Sequence, residues 1–286
     1  MKAPDWHPRF IVIGAVKAAT TWIQARLQDN PAIHMPDPEP HYFSSEFDRG
    51  EDWYRAFFEH RAQDAAQGRI VMGEKSADYL AHPLAAERIA RALPQVRLVL
   101  QLRNPVERAY SDYKMLFRRG TVKGPPEEYL RSPDNPHPRF LQDGLYARHL
   151  ARWYDLFPRE QILIYLYDDV RVQPRRIVEA VSEHIGVPPV FRPELALAQE
   201  NSSRSAILPL SLRKALAPLK QTIRPLRGKP VFENMRSLLA REMHYPPLAP
   251  SLREQLRDFY ARDVETLEAI CGLDLSRWKA PARSAA

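Results

Sequence analysis

The chain has 286 residues, 44% hydrophobic and 27% charged, a balance that suits one sizeable α/β domain with a buried core and excludes disorder as the default reading. Cys271 is the single cysteine, which excludes an internal disulfide and a four-cysteine zinc site and suits a reducing compartment. The net charge of +7 is concentrated: residues 201–250 hold nine basic residues against Glu233 and Glu242, a surplus of seven, open to nucleic acid, an anionic membrane surface, a polyanionic small ligand or solvent alone.

The first apolar, β-branched run is "RFIVIGAV" (9–16). It is far shorter than the roughly 20 residues that cross a bilayer, and the chain is expected to be soluble, unprocessed and cytoplasmic. "TTWIQARLQDN" places Trp22, Ile23, Arg26 and Leu27 at helical spacing before an Asn30-Pro31 stop. Proline-rich "MPDPEPHYF" (35–43) must be extended, because the residue before a proline is pushed out of the helical region. Helix is expected around 51–66, then a strand in "RIVMGEKSADYL" whose end carries Glu74 and Lys75, then helix at 84–93. "VRLVLQLRNPVERAYSDYKMLFRRG" reads as a buried strand at 96–102, a turn at Arg103-Asn104-Pro105, and a helix opening at the proline. A polar excursion (120–140) follows, then helix 145–156, strand 161–167 and helix 173–185 ending at Gly186. Residues 188–250 are irregular, and 251–271 form a helix with a stripe of Leu252, Leu256, Phe259, Val264, Leu267 and Ile270. Strands alternating with helices predict an α/β fold: a single domain with a central, mostly parallel sheet flanked by helices, joined by right-handed crossovers. Its core spans about 9–190, with 191–286 packing on it.

The turn "GAVKAATTW" (14–22) is the first feature with chemistry. A strand that ends in small residues and opens a helix aims several backbone N–H groups at one place, and the helix dipole favours an anion there. This is a P-loop-like strand-loop-helix phosphate site, to which Lys17 adds a full charge and Thr20 and Thr21 add hydroxyls. Lys17 nevertheless precedes the threonines by two alanines, and no second glycine stands before it, so magnesium-dependent triphosphate hydrolysis is not supported. Arg103 closes the 96–102 strand and Ser111 lies about two turns into the next helix. Together they suit a second phosphate beyond the carboxyl ends of the strands, unless Arg103 pairs with Glu107. Two grips on one sheet edge suit a nucleotide phosphorylated at two positions.

"GAVKAATTW" with "LRNPVERAYSDY" resembles the two cofactor signatures of sulfotransferases that use 3′-phosphoadenosine 5′-phosphosulfate (PAPS). "GEKSADYL" (73–80) and "GLYARHLARWYDLFPREQILIYLYDDV" (144–170) are similar to the domains that modify glycosaminoglycans of the heparan sulfate type. The likeness covers about 9–190 and, more loosely, "DVETLEAICGLDLSRW". It implies that Lys17, Ala18, Ala19, Thr20 and Thr21 hold the 5′ end of the donor, that Trp22 lies near the adenine, and that Arg103 and Ser111 hold the 3′-phosphate. Adenosine 3′,5′-bisphosphate (PAP) would be the product, and no metal is required.

By the same resemblance Lys17 neutralises charge on the leaving oxygen, and Glu39 of "PEPHYF" matches the glutamate that accepts the acceptor's proton. In an extended chain Glu39 and His41 point to one side, so His41 orients the carboxylate or is itself the base. Lys75 matches a lysine near donor sulfate and acceptor, with pairing to Glu74 or Asp78 as the alternative. Arg227, Gly228 and Lys229 in "RPLRGKP" match a basic loop that closes over the cofactor. Three positions depart from the pattern: Ala19 replaces a glycine, Pro38 a lysine, and Ser44 an acidic residue. The expected partner is a small-molecule or glycan acceptor hydroxyl, on a sugar, glycolipid or glycosylated metabolite. An atypical P-loop kinase and a non-catalytic polyanion-binding protein are the alternatives. The basic residues of 201–250 are scattered among prolines and aliphatics without a stacking-aromatic pattern, which argues against nucleic acid. Acceptor identity and oligomeric state leave no mark in the sequence.

Overall fold

The computed structural model describes residues 6–196 and 243–279. In chain order these form β1 (Phe10–Gly14), α1 (Thr20–Gln28), β2 (Ile33–His34), α2 (Glu51–Arg55), α3 (Ala62–Ala66), β3 (Val71–Lys75), α4 (Ala85–Ala92), β4 (Arg97–Leu102) and α5 (Pro105–Arg119). There follow α6 (Pro126–Leu130), α7 (Arg139–Gln142), α8 (Tyr146–Tyr154), β5 (Ile162–Leu166), α9 (Tyr167–Val172), α10 (Pro174–Ile185), α11 (Pro193–Ala196), α12 (Pro250–Cys271) and α13 (Ser276–Lys279).

The five strands form one sheet in the order β2-β3-β1-β4-β5, and every pairing is parallel. All five β1 residues are buried, and the strand's two-residue period divides them between two cores. Ile11 and Ile13 join Leu98, Leu100 and Leu102 of β4 under α4, α5, α8 and α12, whereas Phe10 and Val12 join Val99, Trp22 and Ile23 beneath α1 and α10. The expected α/β architecture is therefore present, with helices on both faces of a parallel sheet.

Local differences from the expected elements have physical causes. The 51–66 stretch breaks into α2 and α3 around a short 3₁₀ turn at Glu59–Arg61, and the 120–140 excursion carries α6 and the start of α7. In α12 the buried stripe is Leu252, Leu256, Tyr260, Val264 and Leu267, not Phe259, which is 37% exposed. Tyr260 takes the inward position because its hydroxyl can donate to the Leu141 carbonyl at 2.9 Å, a partner that phenylalanine lacks. This helix is fixed to the sheet's first face by an Arg253–Glu107 ion pair and by Asp263, whose carboxylate accepts from the N–H groups of Ala147 and Arg148 at 3.0 and 3.1 Å at the start of α8.

Candidate active site

The carboxyl ends of β3, β1 and β4 lie side by side, so segments 60 to 90 residues apart in sequence meet there. After β1 the chain turns through Lys17 (φ 69°) and Ala19 (φ 68°), both left-handed. Glycine adopts that region freely; an L-residue there costs about 1–2 kcal/mol, so Ala19 takes the glycine conformation and carries its methyl with it. The turn is held from beneath. Ala18 donates to Ala15 O at 3.0 Å, Gln101 of β4 donates to Ala18 O and is itself held by Tyr165 Oη at 3.0 Å, and Arg103 Nη1 donates to Lys17 O at 3.2 Å. With its carbonyls so engaged, the turn leads into α1, whose first N–H groups have no side-chain cap. Thr20 is buried and Thr21 half-buried at that end.

Lys17 projects between this turn and α5, where its ammonium reaches Met115 Sδ at 3.6 Å. Burial lowers its pKa; Asp112 works against the shift, while Arg103, Arg119 and Arg139 add to it. An ammonium whose one hydrogen-bond partner among the described residues is a thioether, with three arginines against Asp112 around it, is built to receive an anion. Arg103 has no acidic partner among the described residues. Its guanidinium lies 4.9 Å from the Tyr167 ring centroid, and Glu107, its anticipated partner, is taken by Arg253. Ser111 is half-buried, and its side chain makes no hydrogen bond among the described residues. It sits one turn before Met115, hence on the α5 face that meets Lys17. Trp22 packs in the second core with Phe10 and Val12. Lys17 and Arg103 each keep N–H donors beyond those contacts beside an uncapped helix end, and with Ser111 on the α5 face near Lys17 they fit a doubly phosphorylated nucleotide.

On the β3 side, Glu39 is gripped on both oxygens. Lys75 Nζ lies 2.6 Å from Oε1, and the Ala77 N–H donates to Oε2 at 3.2 Å. Lys75 thus pairs with Glu39, and not with Glu74 or Asp78. His41 does face Glu39, with Nε2 3.9 Å from Oε2, but not through an extended chain: it stands at φ 52°. Its Nδ1 meets Asp78 Oδ1 at 2.7 Å. That hydrogen bond is the main reason its pKa is raised, against burial. Burial opposes ionisation of Asp78, yet hydrogen bonds from His41 and Ser44 outweigh it and hold the carboxyl below its ordinary value.

The two halves touch through Gly14. A Cβ there would stand 2.9 Å from Leu80 Cβ and 3.2 Å from Ala77 O, so only glycine lets the 76–80 turn lie against the end of β1. Ser76 N–H and Leu80 N–H donate to Val12 O and Ile13 O at 3.1 and 2.9 Å. Gln101 and Met115 are the neighbours that sequence reasoning did not single out, and Asp78 entered it only as a rival partner of Lys75. Asp78 stands three residues after Lys75, and Gln101 is the buried polar residue of a strand whose other polar residue, Arg97, sits at its exposed start, which are the signals available. Arg227, Gly228 and Lys229, like most of the basic 201–250 segment, lie outside the described residues.

A sequence profile of the sulfotransferase domain matches residues 7–261. The bifunctional heparan sulfate N-deacetylase/N-sulfotransferase 2 of Bos taurus is 29% identical over 208 residues, 66% of this chain and 23% of that protein. The bifunctional heparan sulfate N-deacetylase/N-sulfotransferase 3 of Homo sapiens is 31% identical over 217 residues, 68% of this chain and 24% of that one. The chain spans about a quarter of the length of these curated relatives. Among solved structures, a sulfotransferase from Alicyclobacillus acidocaldarius superposes with a TM-score of 0.70 at 26% identity, covering 96% of this chain and 99% of that one.

Proposed function

The chain belongs to the sulfotransferase domain family, and from that premise we propose that it transfers a sulfuryl group from PAPS to a hydroxyl or amino group of a carbohydrate-type acceptor. The donor supplies the activated sulfuryl group; the protein's task is to hold both partners in line, stabilise the leaving oxygen and take a proton. In this reading the N–H groups opening α1, with Thr20 and Thr21, hold the 5′ end, and Arg103 and Ser111 hold the 3′-phosphate. Lys17 places its charge at the leaving oxygen, where low dielectric makes it most effective. Glu39 is the base. His41, made more basic by Asp78, serves as a positive charge facing Glu39 across 3.9 Å better than it would serve as a proton acceptor. Lys75 and the Ala77 N–H set the direction of the carboxylate.

The observation that carries this reading is the abutment of the two halves: the 76–80 turn that grips Glu39 lies on the β1 end that opens the Lys17 turn. Heparan sulfate in the names of the relatives supports the acceptor class. The test compares thermal stabilisation by PAP, by ATP with magnesium and by AMP, since a native-state ligand stabilises by mass action. PAP is expected to stabilise selectively; equal responses would sink the proposal. Glu39→Gln is expected to keep PAP binding and lose turnover, and Arg103→Ala to lose binding. Near-normal turnover of Glu39→Gln would move the base to His41.

A further inference from the structure

Glu74 precedes Lys75 on β3 and has no place in the chemistry above. It is fully buried, and no lysine or arginine pairs with it among the described residues. Its carboxyl group instead receives three hydroxyls: Tyr54 of α2 at 2.7 Å, Ser76 at 2.8 Å and Tyr79 at 3.1 Å. Two of these hydroxyls have a second partner in the segment that carries Glu39. Ser76 Oγ accepts from the His41 N–H at 2.9 Å, and Tyr79 Oη accepts from the Phe43 N–H at 3.1 Å.

The polarity of these chains is fixed. A backbone N–H only donates, so each hydroxyl oxygen is the acceptor on the loop side and its proton is free to point at Glu74. The carboxyl must then accept from all three hydroxyls, which a carboxylate with about four lone-pair sites does and a group holding its own proton does less well. A hydroxyl whose proton is drawn to an anion is also a better acceptor for the N–H behind it.

The geometry points to Glu74 as a positioning residue for the acceptor-side loop: its carboxylate, acting through Ser76 and Tyr79, fixes the backbone at His41 and Phe43 and so the aim of Glu39 and His41. This rests on the reading of 39–41 as the acceptor side. Burial, partly offset by the three hydroxyls and by the nearby His41, raises its pKa to about 7. A charge so costly to keep inside a protein is retained where an apolar residue could not hold the two chains.

Hydrogen–deuterium exchange on the full chain tests this without an acceptor in hand. In Glu74→Gln, protection of 39–46 is expected to fall about tenfold, the scale of a lost hydrogen bond to a charged group, while β1 and β4 keep theirs and PAP affinity stays within twofold. Tyr79→Phe and Ser76→Ala should each loosen the same segment less, at Phe43 and His41 respectively. They carry the test should Glu74→Gln not fold. Unchanged protection of 39–46, or a loss spread evenly over the chain, overturns the proposal. With a heparosan oligosaccharide as acceptor, kcat of Glu74→Gln should fall while the KM for PAPS holds. Absence of transfer by the unaltered protein would count against the proposed function and leave the exchange result standing.

Discussion

Lys17 meets a thioether where most buried ammonium groups meet an acid, and the consequence is readable in pH. Burial lowers its pKa below 10.5 in the free protein; the phosphates of PAP would raise it again. Protonated Lys17 is then favoured in the complex, so PAP affinity is highest below the lowered value and declines as pH rises through it towards the ordinary lysine range. Calorimetric titrations across the alkaline range should show that decline with proton uptake on binding, and Lys17→Arg should abolish it; an identical decline in the arginine variant would exclude Lys17 as its source. The shift at His41 has the opposite direction, yet its contribution too declines as pH rises. Its pKa is raised above 6.5, chiefly by Asp78, so while Asp78 stays ionised the pair's contribution to stability is fully present below pH 6.5 and is lost as pH rises through the raised value. In Asp78→Asn the His41 ring resonances should titrate at a lower pH than in the unaltered protein, and an unshifted titration would remove Asp78 from its role. Lys17 stands out in the sequence because its charge sits in a strand-to-helix turn, and Glu39, His41 and Lys75 stand out through local segments that resemble family motifs. The Asp78 partnership spans 37 residues and exists only once β3 and the proline-rich segment are side by side.

Among the elements, α5 bears most directly on the proposed nucleotide site, since Arg103 precedes it and Ser111 lies on it. Its start is set by Asn104, whose Oδ1 accepts from Val106 N–H at 3.0 Å and Glu107 N–H at 3.4 Å, with Pro105 at the first helical position. Asn104→Ala is expected to cost about 1 kcal/mol in denaturant unfolding and to weaken PAP severalfold by loosening the turn that carries Arg103. Full PAP affinity with normal stability would show that the cap has no such hold. This start was legible, because Asn-Pro is a local signal. The phase of α12 was less so: Phe259 and Tyr260 are neighbours of similar size, and what turns Tyr260 inward is a carbonyl on a segment 119 residues away. Gln101 was hidden for a related reason, as a buried polar residue acquires meaning only from the Ala18 carbonyl and the Tyr165 hydroxyl on either side of it.

Across the whole molecule, one apolar cluster runs from β1 and β4 through α5 and α8 to α12 and Trp278. Leu267 is fully buried in it, and Leu267→Ala is expected to cost about 2–5 kcal/mol. Unfolding followed by tryptophan fluorescence and by far-ultraviolet circular dichroism should remain a single coincident transition in this variant; two separated transitions would mean that the C-terminal helix is an independent unit. The sheet order was beyond the sequence, because apolar β-branched runs announce strands and say nothing about which strands are neighbours. That β1 lies between β3 and β4 is what brings a Lys17 turn, a Lys75 end and an Arg103 end to one edge.

The contact at Gly14 sets a rule for exchanging parts between relatives. The acceptor-side loop is fastened to the 76–80 turn, and that turn rests on a strand end with no room for a side chain. The smallest transplantable cassette is therefore two segments, 39–46 together with 74–80, and it requires a recipient with glycine at the end of its first strand. A graft of 39–46 alone would arrive without the hydroxyls and the lysine that hold it.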